Sequence, residues 1–230
     1  MLKTIPLNKI LFLDTETVPQ YEFWDELSER GKILWDKKTI NQRAEKTAEE
    51  YFYERAAILA EFGKIVCISV GIIVNNKIRI KSFSGTNEKT ILNEFNQMLQ
   101  ADYFDGNVIL CAHNGKEFDF PYLARRMTIN QIEIPNILNL HGKKPWEINH
   151  LDTLELWKFG DYKHYTSLDL LAYIFDLETP KSDIEGSEVA KVFYKEKNIQ
   201  RIQNYCEKDV VTLINIFRKY RMEDILEREN

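Results

Sequence analysis

The sequence predicts an α/β fold, a mixed β-sheet with helices packed on it. Three observations carry this. Short apolar runs rich in β-branched residues crowd the first half, as in Lys64 to Val74 and Lys77 to Phe83. Stretches with apolar residues at helical spacing fill the second half. The first apolar run, Ile10-Leu11-Phe12-Leu13, leads straight into Asp14 and, two positions on, Glu16. With 230 residues, 44% of them hydrophobic, the chain can bury a substantial core in one large domain or in a domain with an insertion.

Ile10 to Thr17, bounded by Pro6 and Pro19, reads as a buried strand rather than a helix. Strand side chains alternate faces, so Asp14 and Glu16 share one side and Thr15 takes the other. Two adjacent carboxylates repel each other and require a proton, a basic side chain or a metal ion. Tyr21 to about Phe62 is charged, aromatic and poor in glycine, with Trp24, Leu27, Leu34 and Trp35 at roughly helical spacing and Glu49 to Leu59 continuing the pattern. It reads as a long helical insertion between the first two strands. Gly63 ends it. Lys64 to Val74 and Lys77 to Phe83 then form a hairpin about Asn75-Asn76. Glu88 to Leu99 is an amphipathic helix capped by Thr86 or Asn87. Asn107 to Ala112 is a short buried strand, followed by His113-Asn114-Gly115. Phe118 to Met127 is helical, with Pro121 tolerated in the first turn. Further helices are expected over Leu151 to Phe159, Ser167 to Phe175, and Glu188 to about Arg221.

Acidic residues number 36 against 31 basic, a net charge of −5, so the chain lacks the basic excess of strong non-specific nucleic-acid binders. Nucleic acid is not excluded, because acids that hold cations lower the net count. Cys67, Cys111 and Cys206 are odd in number and far apart, fit no zinc or CxxC spacing, and suggest reduced thiols in a cytoplasmic protein. Met1 to Pro6 is no signal peptide, and no apolar run approaches the roughly 20 residues that span a bilayer. No membrane association is expected. His113, His141, His150 and His164 are scattered and lack cysteine partners at zinc spacing. Arg125-Arg126, Lys143-Lys144 and Lys158 to His164 could track a phosphate backbone with Tyr162 and Tyr165 as stacking rings, or could be solvated surface charge.

Two further places pair a carboxylate with a suggestive context. Asp119 follows a strand end and a turn, at a helix start, where an acid can also simply answer the helix dipole. Tyr205 and Asp209, four apart on the last helix, share a face, and Asp209 runs into Val210, Val211, Leu213 and Ile214. The plain alternative is a surface acid at the edge of that face. If the four acids converge, they would bind hard cations, Mg²⁺ or Mn²⁺, through oxygen. Two such ions about 4 Å apart clamp the attacking and leaving oxygens of a phosphodiester. Tyr205 would orient a water by hydrogen bonding, since a phenol with a reference pKa of about 10 is a poor base at neutral pH.

Asp14-x-Glu16, Asn114-x3-Phe118-Asp119 and Tyr205-x3-Asp209 resemble, in order and spacing, the three motifs of the DEDD, or DnaQ-like, 3′–5′ exonucleases. The tyrosine matches the DEDDy branch; the DEDDh branch would carry His where Asn204 stands. The similarity is to the proofreading exonuclease domain of family-B DNA polymerases, as a stand-alone chain, and covers about Lys9 to Tyr220. It implies a ribonuclease-H-like five-stranded mixed sheet with one antiparallel strand, flanked by helices. Four strands are legible; the fifth is expected between Arg126 and Asp152, near Ile148 to Leu151.

The resemblance further implies one exonuclease domain over residues 1–230, with the insertion at about 21–62, and two divalent ions, Mg²⁺ or Mn²⁺. Asp14 would bridge both ions. Glu16 and Asp209 would complete the site of the ion that activates water, and Asp119 would help hold the second. Tyr205 would orient the nucleophilic water, Thr17 and Asn114 would approach the terminal nucleotide, and Phe118 would pack beneath the site. Asp152 is expected to be structural. The implied substrate is a single-stranded 3′ end, DNA ahead of RNA. The insertion exceeds the usual first connection and is expected to act as a lid or as a surface for a protein partner. Two competing readings are a non-catalytic single-strand-binding module on the same fold and a haloacid-dehalogenase-type phosphatase. The latter wants Asp where Glu16 stands.

Overall fold

The computed structural model describes residues 2–101, 108–161, 163–179 and 183–229. Its sheet is ordered β3-β2-β1-β4-β5. The central strand β1, Ile10–Pro19, pairs antiparallel with β2, Gly63–Val74, which pairs antiparallel with β3, Lys77–Ser84. On its other side β1 pairs parallel with β4, Ile109–Ala112, and β4 with β5, Leu151–Asp152. Only β2 runs against the rest, as expected. Asn75 and Asn76, with φ of 50° and 58°, make the left-handed turn that matches the twist of a β2–β3 hairpin.

The alternation of β1 decides what covers each face. Leu11 and Leu13 pack with α3, Glu88–Leu99, and α4, Asp119–Ile129, through Leu92, Phe95, Phe120 and Leu123. Ile10 and Phe12 pack with α8, Ile199–Tyr220, through Val210, Leu213, Ile214 and Phe217. Each such side chain contributes about 1.5–3 kcal/mol by leaving water. Gly71 sets how near α8 comes to β2: a Cβ there would lie 2.7 Å from Val210 Cγ1 and 2.8 Å from Ile214 Cδ1.

The insertion is not one continuous helix. It comprises α1, Glu29–Thr39, and α2, Ala48–Arg55, joined by short turns. Ser28 and Thr47 cap their N-termini. The insertion carries its own small core of Leu27, Trp35, Phe52 and Ala56, with Phe62 meeting Trp35 edge-on at 5.0 Å. Its two ends are clasped by the Gln20 N–H, which donates to the Phe62 carbonyl at 2.7 Å.

Two further expectations are corrected. Glu188 to Arg221 is not one helix: α7, Val189–Lys191, enters a π-type turn at Val192–Glu196, Lys197 turns left-handed, and Asn198 caps α8. The apolar pattern hides the break because Val189, Val192, Ile202 and Tyr205 all bury in one cluster with Val18 and Val66. The fifth strand is Leu151–Asp152, so the following helix, α5, Thr153–Lys158, starts later than expected. Of the two residues expected as the cap of α3, Asn87 fills the role. The remaining short helix, α6, is Leu168–Ile174, capped by Ser167. Asn107, assigned to a strand by sequence, lies outside the described residues. Among the described residues no helix is long and apolar enough to cross a membrane.

Candidate active site

Asp14 and Glu16 continue the line of Phe12 on the face of β1 that meets α8. There α8 presents Tyr205, Cys206 and Asp209. The Cys206 Sγ lies 3.4 Å from Asp14 Oδ2 and 3.4 Å from the Asp14 carbonyl oxygen. Ligand atoms of Asp14, Glu16 and Cys206 all lie within 4.8 Å of one another, and among the described residues this is the one such group able to hold a metal ion. Asp119 arrives from the opposite face as the first residue of α4. Thr15, pointing that way, donates from Oγ1 to Asp119 Oδ1 at 2.6 Å.

The electrostatics follow from this crowding. Burial, then the charge of Asp209, pushes the Asp14 carboxyl up to about 8, against hydrogen bonds from Cys206 and the Thr15 backbone. Burial, then Asp14 and Asp209, drives Glu16 well above the ordinary carboxylate range. Burial, then Asp14, does the same to Asp119. The Tyr205 phenol is raised by burial and then by Asp209, Glu16 and Asp14, so it stays protonated. Burial likewise raises the Cys206 thiol, which acts as a hydrogen-bond donor to Asp14 rather than as a thiolate. A set of mutually repelling carboxylates is relieved by a bound cation, and oxygen donors suit Mg²⁺ or Mn²⁺. The residues present fit such ions.

The other candidate positions are adjacent. Thr17 is buried one residue past Glu16, where β1 shifts register against β2. Asn114 has φ of 63°, and its backbone N–H donates to Asp152 Oδ1 at 2.9 Å. Asp152 Oδ2 accepts from the Lys116 N–H at 3.1 Å, and Oδ1 also caps α5 through the Leu154 N–H. Asp152 thus fixes the turn before Asp119 and is structural, as expected. Gly115 is required within that turn, since a Cβ would lie 2.4 Å from that of Ala112. Phe118, half-buried at the start of α4, meets Tyr122 at 5.2 Å between ring centres.

Two contributors were missed by sequence reasoning. Thr15 carried a signal in the strand alternation, and Cys206 in its three-residue spacing from Asp209 on one helix face. At Arg126 neither of the two alternatives holds. Arg126 is not a phosphate-tracking cation: it is buried, donating from Nε to Glu88 Oε1 at 2.8 Å and from Nη1 to the Ala60 carbonyl at 2.8 Å. Tyr162 lies outside the described residues.

A family profile described as a predicted 3′–5′ exonuclease related to the exonuclease domain of PolB matches residues 58–230, about three quarters of the chain. That span includes Asp119, Tyr205 and Asp209, whereas Asp14 and Glu16 precede it. The fold is similar to that of the family B DNA polymerase from the hyperthermophilic archaeon Pyrobaculum calidifontis, at a TM-score of 0.58 and 14% identity. The similarity covers 95% of this chain and 25% of that one, so the chain spans a quarter of the polymerase's length. It bears out the ribonuclease-H-like arrangement of a mixed five-stranded sheet with flanking helices. A search of curated proteins returned no match.

Proposed function

Since the chain belongs to the family of predicted 3′–5′ exonucleases related to the exonuclease domain of PolB, we propose that it is a metal-dependent 3′–5′ exonuclease of the DEDDy branch. It hydrolyses phosphodiester bonds from the 3′ end of single-stranded nucleic acid, DNA ahead of RNA. The observation that carries this reading is the convergence of carboxylates from β1, α4 and α8. Burial, and then the charges they share, lift Asp14, Glu16 and Asp119 together.

Asp14, Glu16, Asp119 and Asp209 would hold two divalent ions, Mg²⁺ or Mn²⁺. When bound, such ions stabilise charge on the attacking and leaving oxygens of an in-line displacement. Tyr205, kept protonated by burial and then by its carboxylate neighbours, donates a hydrogen bond and orients the attacking water. Thr15 and Cys206 hold Asp119 and Asp14 in place from either face of β1. Thr17 and Asn114 approach the terminal nucleotide, with Phe118 packed beneath the site.

The reading takes residues 1–230 as one exonuclease unit with the helical insertion at about 21–62. Tyr21, Phe23, Ile33, Leu34, Ile40 and Tyr53 of that insertion are exposed, which supports its use as a surface for a protein partner. Three buried, free cysteines fit a cytoplasmic setting.

A 5′-labelled single-stranded DNA and the matching RNA, incubated with Mn²⁺ with and without EDTA, test the reading beside Asp14→Ala. The expected result is a descending ladder that requires both metal and Asp14. Intact strands with the wild-type protein, or wild-type hydrolysis by Asp14→Ala, would sink it. Comparison of the two strands names the preferred polymer.

A further inference from the structure

Tyr165 is a large ring left 65% exposed, against His113, the residue before the candidate site residue Asn114. Partial burial, then the fields of Asp152, Asp119 and Glu117, raise the pKa of its hydroxyl. The hydroxyl therefore stays protonated and carries no charge that would repel a phosphate, while the body of the ring stands in solvent.

The chain around this ring is pinned. Thr166 is buried, and its carbonyl lies 2.9 Å from His113 Nε2. A carbonyl only accepts, so Nε2 carries the proton. Burial lowers the pKa of His113 and keeps the imidazole neutral, so its Nδ1 accepts from Thr153 Oγ1 at 2.9 Å. Thr153 opens α5 directly after Asp152, which holds the backbone of Asn114 and Lys116. His113 thereby joins the end of β4, the start of α5 and the segment at Thr166 into one node. Its ring meets that of Tyr165 edge to face, 6.4 Å between centres at 74°. An aromatic ring held in this way loses little freedom when something stacks on it.

We propose that Tyr165 is the platform on which a base of the single-stranded 3′ end stacks, with His113 as the positioning residue that holds it. The proposal rests on the exonuclease reading and names the part of the substrate it grips. Every base presents a π-face, so this grip is independent of sequence and is lost only where a base is missing.

The test is steady-state cleavage, in Mn²⁺, of strands carrying an abasic residue at each of the last three positions. Wild type is compared with Tyr165→Ala, Tyr165→Phe and His113→Ala, and thermal melting checks that each variant folds. Tyr165→Ala should raise KM about tenfold on the intact strand, with a smaller change in kcat. One abasic position should raise the wild-type KM by a similar factor and add nothing to Tyr165→Ala. Tyr165→Phe should restore wild-type behaviour, and His113→Ala should shrink the abasic effect.

An abasic penalty of equal size in wild type and Tyr165→Ala overturns the platform, as does failure of Tyr165→Phe to restore it. An unchanged penalty in His113→Ala removes the positioning role. Should the wild-type protein cleave neither strand, the hydrolytic reading fails. Fluorescence anisotropy with the same abasic series then decides the stacking proposal by itself.

Discussion

Thr15 and Asp119 are 104 positions apart in sequence, yet the threonine Oγ1 donates to the aspartate Oδ1 at 2.6 Å. Asp14 and Glu16 look toward α8, and the residue between them reaches through to the other face of β1 to hold the second motif's carboxylate. A hydrogen bond to a charged group is worth about 1.5–3 kcal/mol. Thr15→Val keeps the shape and removes the donor. Cleavage by this variant should fall about tenfold or more while Thr15→Ser stays near wild type. Equal rates for wild type and Thr15→Val would show that Asp119 needs no such partner.

Metal and pH act on the same cluster. Asp14 rises from its ordinary 3.8 to about 8, and Glu16 and Asp119 shift in the same direction. Above about pH 4 the folded protein therefore retains protons that the unfolded chain has released. This contribution favours the fold most at low pH and fades as the pH climbs to about 8. Glu50, held low by the Thr47 backbone N–H, matters only below that window. Melting in EDTA should show Tm falling between about pH 6.5 and 8, above the range in which the buried His113 and His150, held low by burial, act with the opposite sign. Added Mn²⁺ should raise Tm by an amount that grows over the same range, because binding requires the carboxylates ionised. A flat profile in EDTA would contradict the crowded, protonated cluster.

Gly71 marks a close approach of α8 to β2. Gly71→Ala places a methyl against Val210 and Ile214. Overpacking of this kind costs about 1–3 kcal/mol. The displaced helix also carries Tyr205 and Asp209, so cleavage should drop beyond what the loss of stability explains. Gly85→Ala is the control, since nothing lies within 4 Å of the added carbon. Urea unfolding and ladder assays on both variants separate the two effects.

Glu88 and Arg126 form a buried pair that ties the base of the insertion to α3 and α4. Glu88 Oε1 also accepts from the Ile65 N–H at 2.7 Å, and Arg126 donates to the Ala60 carbonyl. Removing one partner strands the other charge, so Arg126→Met should cost about 3–5 kcal/mol by urea unfolding. Glu88→Gln combined with Arg126→Met should recover part of that loss. A cost under about 1 kcal/mol for the single change would mean that water reaches the pair.

The same pair shows where sequence reading stops. Arg125-Arg126 looked like a surface run because two adjacent cations say nothing about which one turns inward. On α4, Arg126 and Met127 share the buried stripe with Leu123, and Glu88 was equally unremarkable as the first residue of an amphipathic helix. Neither residue type announces that its partner is present. Lys197 gave no warning of the helix break before α8, since apolar spacing runs on through both segments into one core.

The sequence by itself determined the α/β class, the central strand, the hairpin turn and the positions of all four acids and the tyrosine. These follow from local chemistry: a period of two places Asp14 with Glu16, and a spacing of four places Tyr205 with Asp209. The tertiary structure alone decided which elements face one another across those surfaces. It brought Cys206 against Asp14, joined Thr15 to Asp119, let two residues serve as the fifth strand, and set the ring of Tyr165 against His113. Periodicity records which face of an element is buried. The partner on the other side is set by packing between residues far apart in the chain, and that leaves no local trace.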